Sequence, residues 1–309
     1  MFLCFEPKSE APADSVPCPE KLTAGYVTPD ELETLYEKLG FSYGTVRSCR
    51  TANEYFRSGV ELYDDFMFTE LRIIDLDRQR DDCVALYIRK NLLLVVDVAD
   101  EDGSTKEKFL SAVSRFETGS ATLGKLLFAF FDELISTDVQ RIEKLGMELS
   151  ALEEQLLRHG ADEDFNLLLL KSKKLLLRLR NYYEQLLDIT ESLGENESGS
   201  LTDAELLYMG NITKRVQRLK EDVDSLKNTV EHLQDAYNAY LDAKLNSTMK
   251  LFTVLTSIFF PLTIIVGWYG MNFQTMPEFR WKYGYAYVIV LSAVVVAALY
   301  GIGRRRRWF

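Results

Sequence analysis

Two uncharged apolar runs near the C-terminal end constrain this chain more than any other feature. Leu251 to Trp268 carries no charge, and the uncharged run continues through Phe273. A second run, Tyr283 to Ile302, is 20 residues rich in Val, Ala, Ile and Leu. Crossing the hydrocarbon core of a bilayer takes about 20 residues of helix, so both runs qualify. Neither has a polar face, and Trp268, Tyr269, Tyr283, Tyr285 and Trp308 stand at their ends, where an interfacial aromatic belt belongs. The pattern predicts a membrane hairpin rather than a buried core pair.

Charge divides the chain at the same place. Of 36 basic and 47 acidic residues, seven bases and one acid fall at or after Lys250, leaving 29 bases against 46 acids before it. The mean hydropathy of −0.10 is therefore an average over two different materials. Arg304 to Arg307 follow the second run, and Lys244 and Lys250 precede the first. Cytoplasmic flanks collect such bases, so both termini and the acidic bulk are expected in the cytoplasm, with the Gln274–Lys282 link outside. Met1 to Glu10 has no basic region and only a short apolar run, so no signal peptide is expected.

The composition excludes several function classes. An excess of acid with no basic face argues against a nucleic-acid partner. Cys4, Cys18, Cys49 and Cys83 have no CxxC spacing and are expected to be reduced thiols. His159 and His232 are far apart in sequence and are expected at the surface. Gly119 to Leu126 nearly spells a phosphate-binding loop, but Leu126 replaces the Ser/Thr that would reach a metal, so no nucleotide is expected. No Ser/His/Asp or Cys/His cluster supports catalysis, and the chain reads as a non-enzyme without a cofactor.

Before the membrane, residues 1–118 read as an α/β domain that is irregular over about its first 30 residues. Strands are expected at Asp65–Asp75, Cys83–Ile88 and Leu92–Val98, and helices around Thr28–Lys38, Thr51–Ser58 and Ser104–Arg115. Residues 119–200 read as a helical pair, Ala121–Leu157 and Asp162–Leu193. A stalk helix follows over 201–273, with Thr202 as its cap and Glu205 at the capping-box position. Ile212, Val216, Leu219, Val223, Leu226, Val230, Leu233, Tyr237 and Tyr240 form an unbroken heptad seam. No Pro or Gly occurs from Asn211 until Pro261, so one helix of about 70 residues, about 100 Å long, should run on into the membrane. The remainder reads as an external loop over 274–282, a second span over 283–303 and a basic tail over 304–309.

Two spans cannot enclose an aqueous path, so any conduction requires an oligomer. The first span carries a stripe suited to lining a pore: Asp235, Asp242, Asn246, Met249, Phe252 (or Thr253), Thr256, Phe260, Thr263, Gly267 and Gly270. It ends in Tyr269-Gly270-Met271-Asn272-Phe273, where the amide of Asn272 can form a ring of neutral oxygens. Magnesium gives up its water reluctantly, so uncharged second-shell acceptors suit it. Glu278 in the loop would add a charged ring that concentrates cations.

At these residues the chain resembles the CorA family of divalent cation transporters. The likeness rests on Tyr-Gly-Met-Asn, on Met276-Pro277-Glu278-Phe279, on Met249-Lys250, on Ile258 to Thr263 and on Arg280 to Gly284. Weaker likeness covers the rest, including Tyr63-Asp64-Asp65 and Lys90-Asn91-Leu92. The resemblance implies a homopentamer with a cytoplasmic funnel and magnesium as the usual cargo. It assigns Gly270, Met271 and Asn272 to a selectivity filter, Asn246, Met249, Phe252, Phe260 and Thr263 to the inner pore, and Asp235 to an acidic ring below. One departure stands out: Tyr208 to Arg215 holds no acid where family members share an inter-subunit magnesium site. Regulation by magnesium would then fall to other carboxylates, such as Asp97, Asp100, Glu101 or Asp102. A zinc, cobalt or nickel transporter of the same architecture and a non-conducting coiled-coil scaffold stay open as alternatives.

Overall fold

The computed structural model describes residues 2–5, 8–11, 21–50, 59–74, 81–116, 121–271 and 281–305. It divides into two units, Met1–His232 and Leu233–Phe309.

A seven-stranded sheet organises the first unit, with strands β1 (Phe2–Phe5), β2 (Lys8–Ala11), β3 (Thr23–Val27), β4 (Val60–Leu62), β5 (Met67–Ile73), β6 (Asp82–Arg89) and β7 (Leu92–Ala99). Their spatial order is β2-β1-β3-β7-β6-β5-β4. Only the β3–β7 pair among these is parallel. The helices before the stalk are α1 (Pro29–Leu39), α2 (Tyr43–Arg50), α3 (Ser104–Ser114), α4 (Leu123–Leu134), α5 (Asp138–His159) and α6 (Phe165–Glu195).

The apolar runs of β6 and β7 are continuous because both faces of the sheet are covered. One face joins Ala85, Tyr87, Leu92, Leu94 and Val96 to Leu32 and Leu35 of α1 and to Val46 of α2. Val84, Leu86, Leu93 and Val95 alternate with these along the strands and are also buried. On that second side, Tyr26 of β3 meets Phe109 of α3, with ring centres 5.6 Å apart, and Phe109 meets Phe130 of α4 at 6.1 Å.

The expected strands fall on β5, β6 and β7, and two of the expected helices on α1 and α3. The first 30 residues are more regular than their composition implied, because β1, β2 and β3 all lie there. Gly25 hid the third strand. A side chain there would come within 2.7 Å of Leu94, so the position demands glycine inside a buried strand. The single stretch expected over Ala121–Leu157 is two helices, since the chain turns at Ile135–Thr137 without Gly or Pro. The helix expected at Thr51–Ser58 lies outside the described residues, and α2 just before it was not foreseen. Cys49 and Cys83 are free thiols, and burial pushes them up to about 12 and about 11. The side chain of Cys4, and Cys18 altogether, lie outside the described residues. Both histidines are exposed.

The seventh helix, α7, runs from Asp203 to Tyr269, 67 residues, and α8 covers Gly284–Arg305. Within the first unit α7 packs on its own chain. Arg180 of α6 pairs with Asp224 at 3.4 Å, and Glu184 pairs with Lys220 at 3.6 Å. Ile212, Val216, Val223 and Val230 of the seam are buried. In the second unit, 18-residue windows of α7 and α8 have mean hydropathies of 2.0 and 2.3 and are 0% and 6% buried. These segments are therefore not core helices of a water-soluble body.

Candidate cation pathway and carboxylate cluster

The predicted stripe lies on the unburied part of α7. At about 100° per residue, the positions from Asp235 to Gly270 fall within an arc of roughly 120°. Asp235, Asp242, Asn246, Met249, Phe252, Thr256, Phe260, Thr263 and Gly267 are all exposed in the isolated chain. No charged side chain occurs on α7 after Lys250.

The hydroxyls on this helix have a common orientation of donor and acceptor. Thr253, Thr256 and Thr263 donate to the carbonyls of Met249, Phe252 and Phe259 at 2.8, 2.8 and 2.9 Å. Each hydroxyl proton is thus spent on the helix, and the oxygen lone pairs remain to accept. Acceptors of that kind suit a hydrated cation, whose water shell presents hydrogens outward.

Past the helix end, Gly270 donates its amide to the Val266 carbonyl at 2.8 Å. A Cβ on Gly270 would stand 2.9 Å from that same oxygen. The glycine is required by close approach. Met271 follows, half exposed at 41%. Asn272 and Glu278 lie outside the described residues. Beyond them, Trp281 packs its ring near Tyr283 and Tyr287 at 6.2 and 6.0 Å, an aromatic group at the start of α8.

The model of the CorA-like Mg2+ transporter protein family matches residues 23–302. The chain belongs to this family. It is 26% identical over 265 residues to the cobalt/magnesium transport protein CorA of Thermotoga maritima, a match covering 83% of this chain and 74% of that one. A magnesium transport protein CorA of Helicobacter pylori is 26% identical over 284 residues, covering 86% and 83%. The complete structure of the CorA magnesium transporter from Methanocaldococcus jannaschii superposes with a TM-score of 0.79 at 22% identity, covering 98% of this chain and 95% of that one. That fold includes an α/β body, a long helix and two apolar C-terminal helices. The cytoplasmic domain of ZntB from Vibrio parahaemolyticus shares the fold at a TM-score of 0.59 and 15% identity. Family membership makes this a membrane transporter of divalent cations.

In this CorA-like chain the stretch without acids is plainly visible. Asn211 is exposed on α7. Arg215 pairs with Asp132 of α4 and lies 5.4 Å from the centre of the Phe128 ring, so it is held by its own chain. The carboxylates expected to take over regulation lie at the end of β7 and in the turn after it. Asp97 accepts the Asp100 amide at 3.0 Å, and Glu101 is exposed. Asp100 and Asp102 come together with Asp82, a residue the sequence reading passed over. Strand register was the missing signal: Cys83 pairs with Ala99, which sets Asp82 beside Asp100.

The glycine-rich decoy is also accounted for among the described residues. Thr122 caps α4 and accepts the Lys125 amide at 3.4 Å. The Gly124 amide donates to Glu205 at 3.0 Å, so this helix-start amide is already taken by an internal carboxylate.

Proposed function

We propose that this protein assembles as a homo-oligomer, with five copies as the family resemblance implies, and carries divalent cations through a pore lined by the apolar part of α7. The supporting observation is the α7 stripe: acceptor hydroxyls and apolar rings on one exposed helix face, with no charge inside the membrane and carboxylates at one end. Magnesium is the first cargo. It keeps its water shell, and a ring of Asn272 amides with Gly270 and Met271 would recognise that shell without stripping it. Asp235 and Asp242 would concentrate cations at the inner mouth, and Glu278 at the outer one. Phe252 would serve as a bulky gate. In this reading the acidic body and both termini face the cytoplasm, and only residues 274–282 lie outside.

The test is flux into proteoliposomes. Asn272→Ala should lower magnesium uptake at least about ten-fold while the oligomer keeps its size on a column. Unchanged uptake would remove the filter from this account. Running cobalt, nickel and zinc in the same vesicles ranks the cargoes, since the Thermotoga relative is named for cobalt as well as magnesium.

A further inference from the structure

Three carboxylates meet where β6 begins and the turn after β7 folds back. One oxygen from each of Asp82, Asp100 and Asp102 lies within 4.8 Å of the others. Asp82 is only 8% exposed, and its Oδ2 accepts the hydroxyls of Ser104 and Thr105 at 2.8 and 2.9 Å. Asp100 Oδ2 accepts the Tyr26 phenol at 3.0 Å and the Lys106 amide at 3.1 Å. Its other oxygen, Oδ1, exposes less than 1 Å² and meets no donor. A fourth carboxylate, Asp97, is nearby; burial first, then the charge of Asp100, pushes its carboxyl up. Burial, against the pull of the two hydroxyls, does the same to Asp82. Lys106 is the cation felt by Asp97.

Such an arrangement is unfavourable by itself. A buried carboxylate oxygen without a donor forfeits its hydration, and three like charges at this separation repel. A cation placed among them removes both costs. Oxygens at about 2.0–2.6 Å from a hard cation stand about 3–5 Å from one another, the range found here. We propose that Asp82, Asp100 and Asp102 of one chain bind a divalent cation, with Asp100 Oδ1 as the buried ligand and water completing the shell. Hard oxygen ligands suit magnesium, manganese or calcium. The site fastens the turn after β7 to the start of β6 within one subunit, so it needs no partner chain. All three ligands belong to the first unit, so occupancy of the site does not depend on transport.

Manganese is the probe for the test, with the full-length protein in detergent. Bound Mn2+ is counted from the electron paramagnetic resonance of the free ion, and melting is followed in Mn2+ and in EDTA. Wild type should hold one more ion per chain than Asp100→Asn, or bind that ion at least ten-fold more tightly. Mn2+ should raise the melting point of wild type and leave that of the variant unmoved. In EDTA, Asp100→Asn should melt no lower than wild type, because removing one buried charge relieves repulsion. The exposed Asp102→Asn gives a second reading of the same loss. An equal ion count and an equal Mn2+-dependent rise in wild type and both variants would overturn the site. Asn272→Ala keeps the extra ion whether or not it abolishes flux, so failure of the pore reading and failure of this one are separable.

Discussion

Glu205 ties two helix starts together with one side chain. Its Oε2 accepts the Thr202 amide at 2.9 Å and the Thr202 hydroxyl at 2.7 Å, and its Oε1 accepts the Gly124 amide that opens α4. The capping half of this was legible from Thr202 and Glu205 in sequence. The link to α4 was not, because the two residues are 81 positions apart. Burial alone would push this carboxyl up, but the hydrogen bonds from Gly124 and Thr202 outweigh it and hold the group below its ordinary value. A carboxylate more acidic folded than unfolded stabilises the fold fully above the unfolded range, and that stability is lost as pH falls through the folded value. Glu205→Gln should therefore cost about 1–2 kcal/mol at pH 7, read as a lower melting point. The gap to wild type should close as the pH drops below the carboxylate range. A gap that persists in acid would mean that shape, not charge, carries the effect.

At the scale of the element, α7 uses one helix for two environments. Its heptad seam predicts packing against other helices. The structure shows that the seam through Val230 is filled by the chain's own helices, as the pairs to α4 and α6 record. Heptad spacing signals a helical neighbour without saying whether that neighbour is on the same chain. From Leu241 to Thr253 every residue is exposed. Val223 is fully buried in the seam. Val223→Asp puts an unpaired charge there and should cost more than about 3 kcal/mol, because desolvation of the carboxylate has no compensating partner. Chemical denaturation of the purified protein measures this; a loss under 1 kcal/mol would show that the seam opens to water.

For the whole molecule, the division of charge is the organising fact. The seven bases after residue 249 flank apolar helices, and the acids sit on the α/β body and the helices before them. The orientation that follows can be checked with a membrane-impermeant maleimide on intact cells. Lys282→Cys should label from outside, whereas the four native cysteines should stay unlabelled while the membrane is intact. Labelling of wild type in intact cells would reverse the orientation. The same segregation explains why the average hydropathy is uninformative: it mixes a hydrated body with two apolar helical segments that are almost unburied.

Local signals carried the membrane half of this protein. Length, absence of charge and aromatic ends are sums over neighbouring residues, and a helix in lipid satisfies its own backbone, so the two apolar helices and the one-sided stripe on α7 were readable without a fold. The central strands β5, β6 and β7 were readable for the same reason, as runs of β-formers between turns. Tertiary structure alone decided what depends on residues distant in sequence. The β3–β7 parallel pairing, the glycine forced by Leu94 and Phe2, the burial of the seam against α4 and α6, and the meeting of Asp82 with Asp100 and Asp102 all belong to this class. Each arises because strand register and helix packing bring side chains to within a few ångströms, and one-dimensional periodicity holds no record of which strand or helix that neighbour will be.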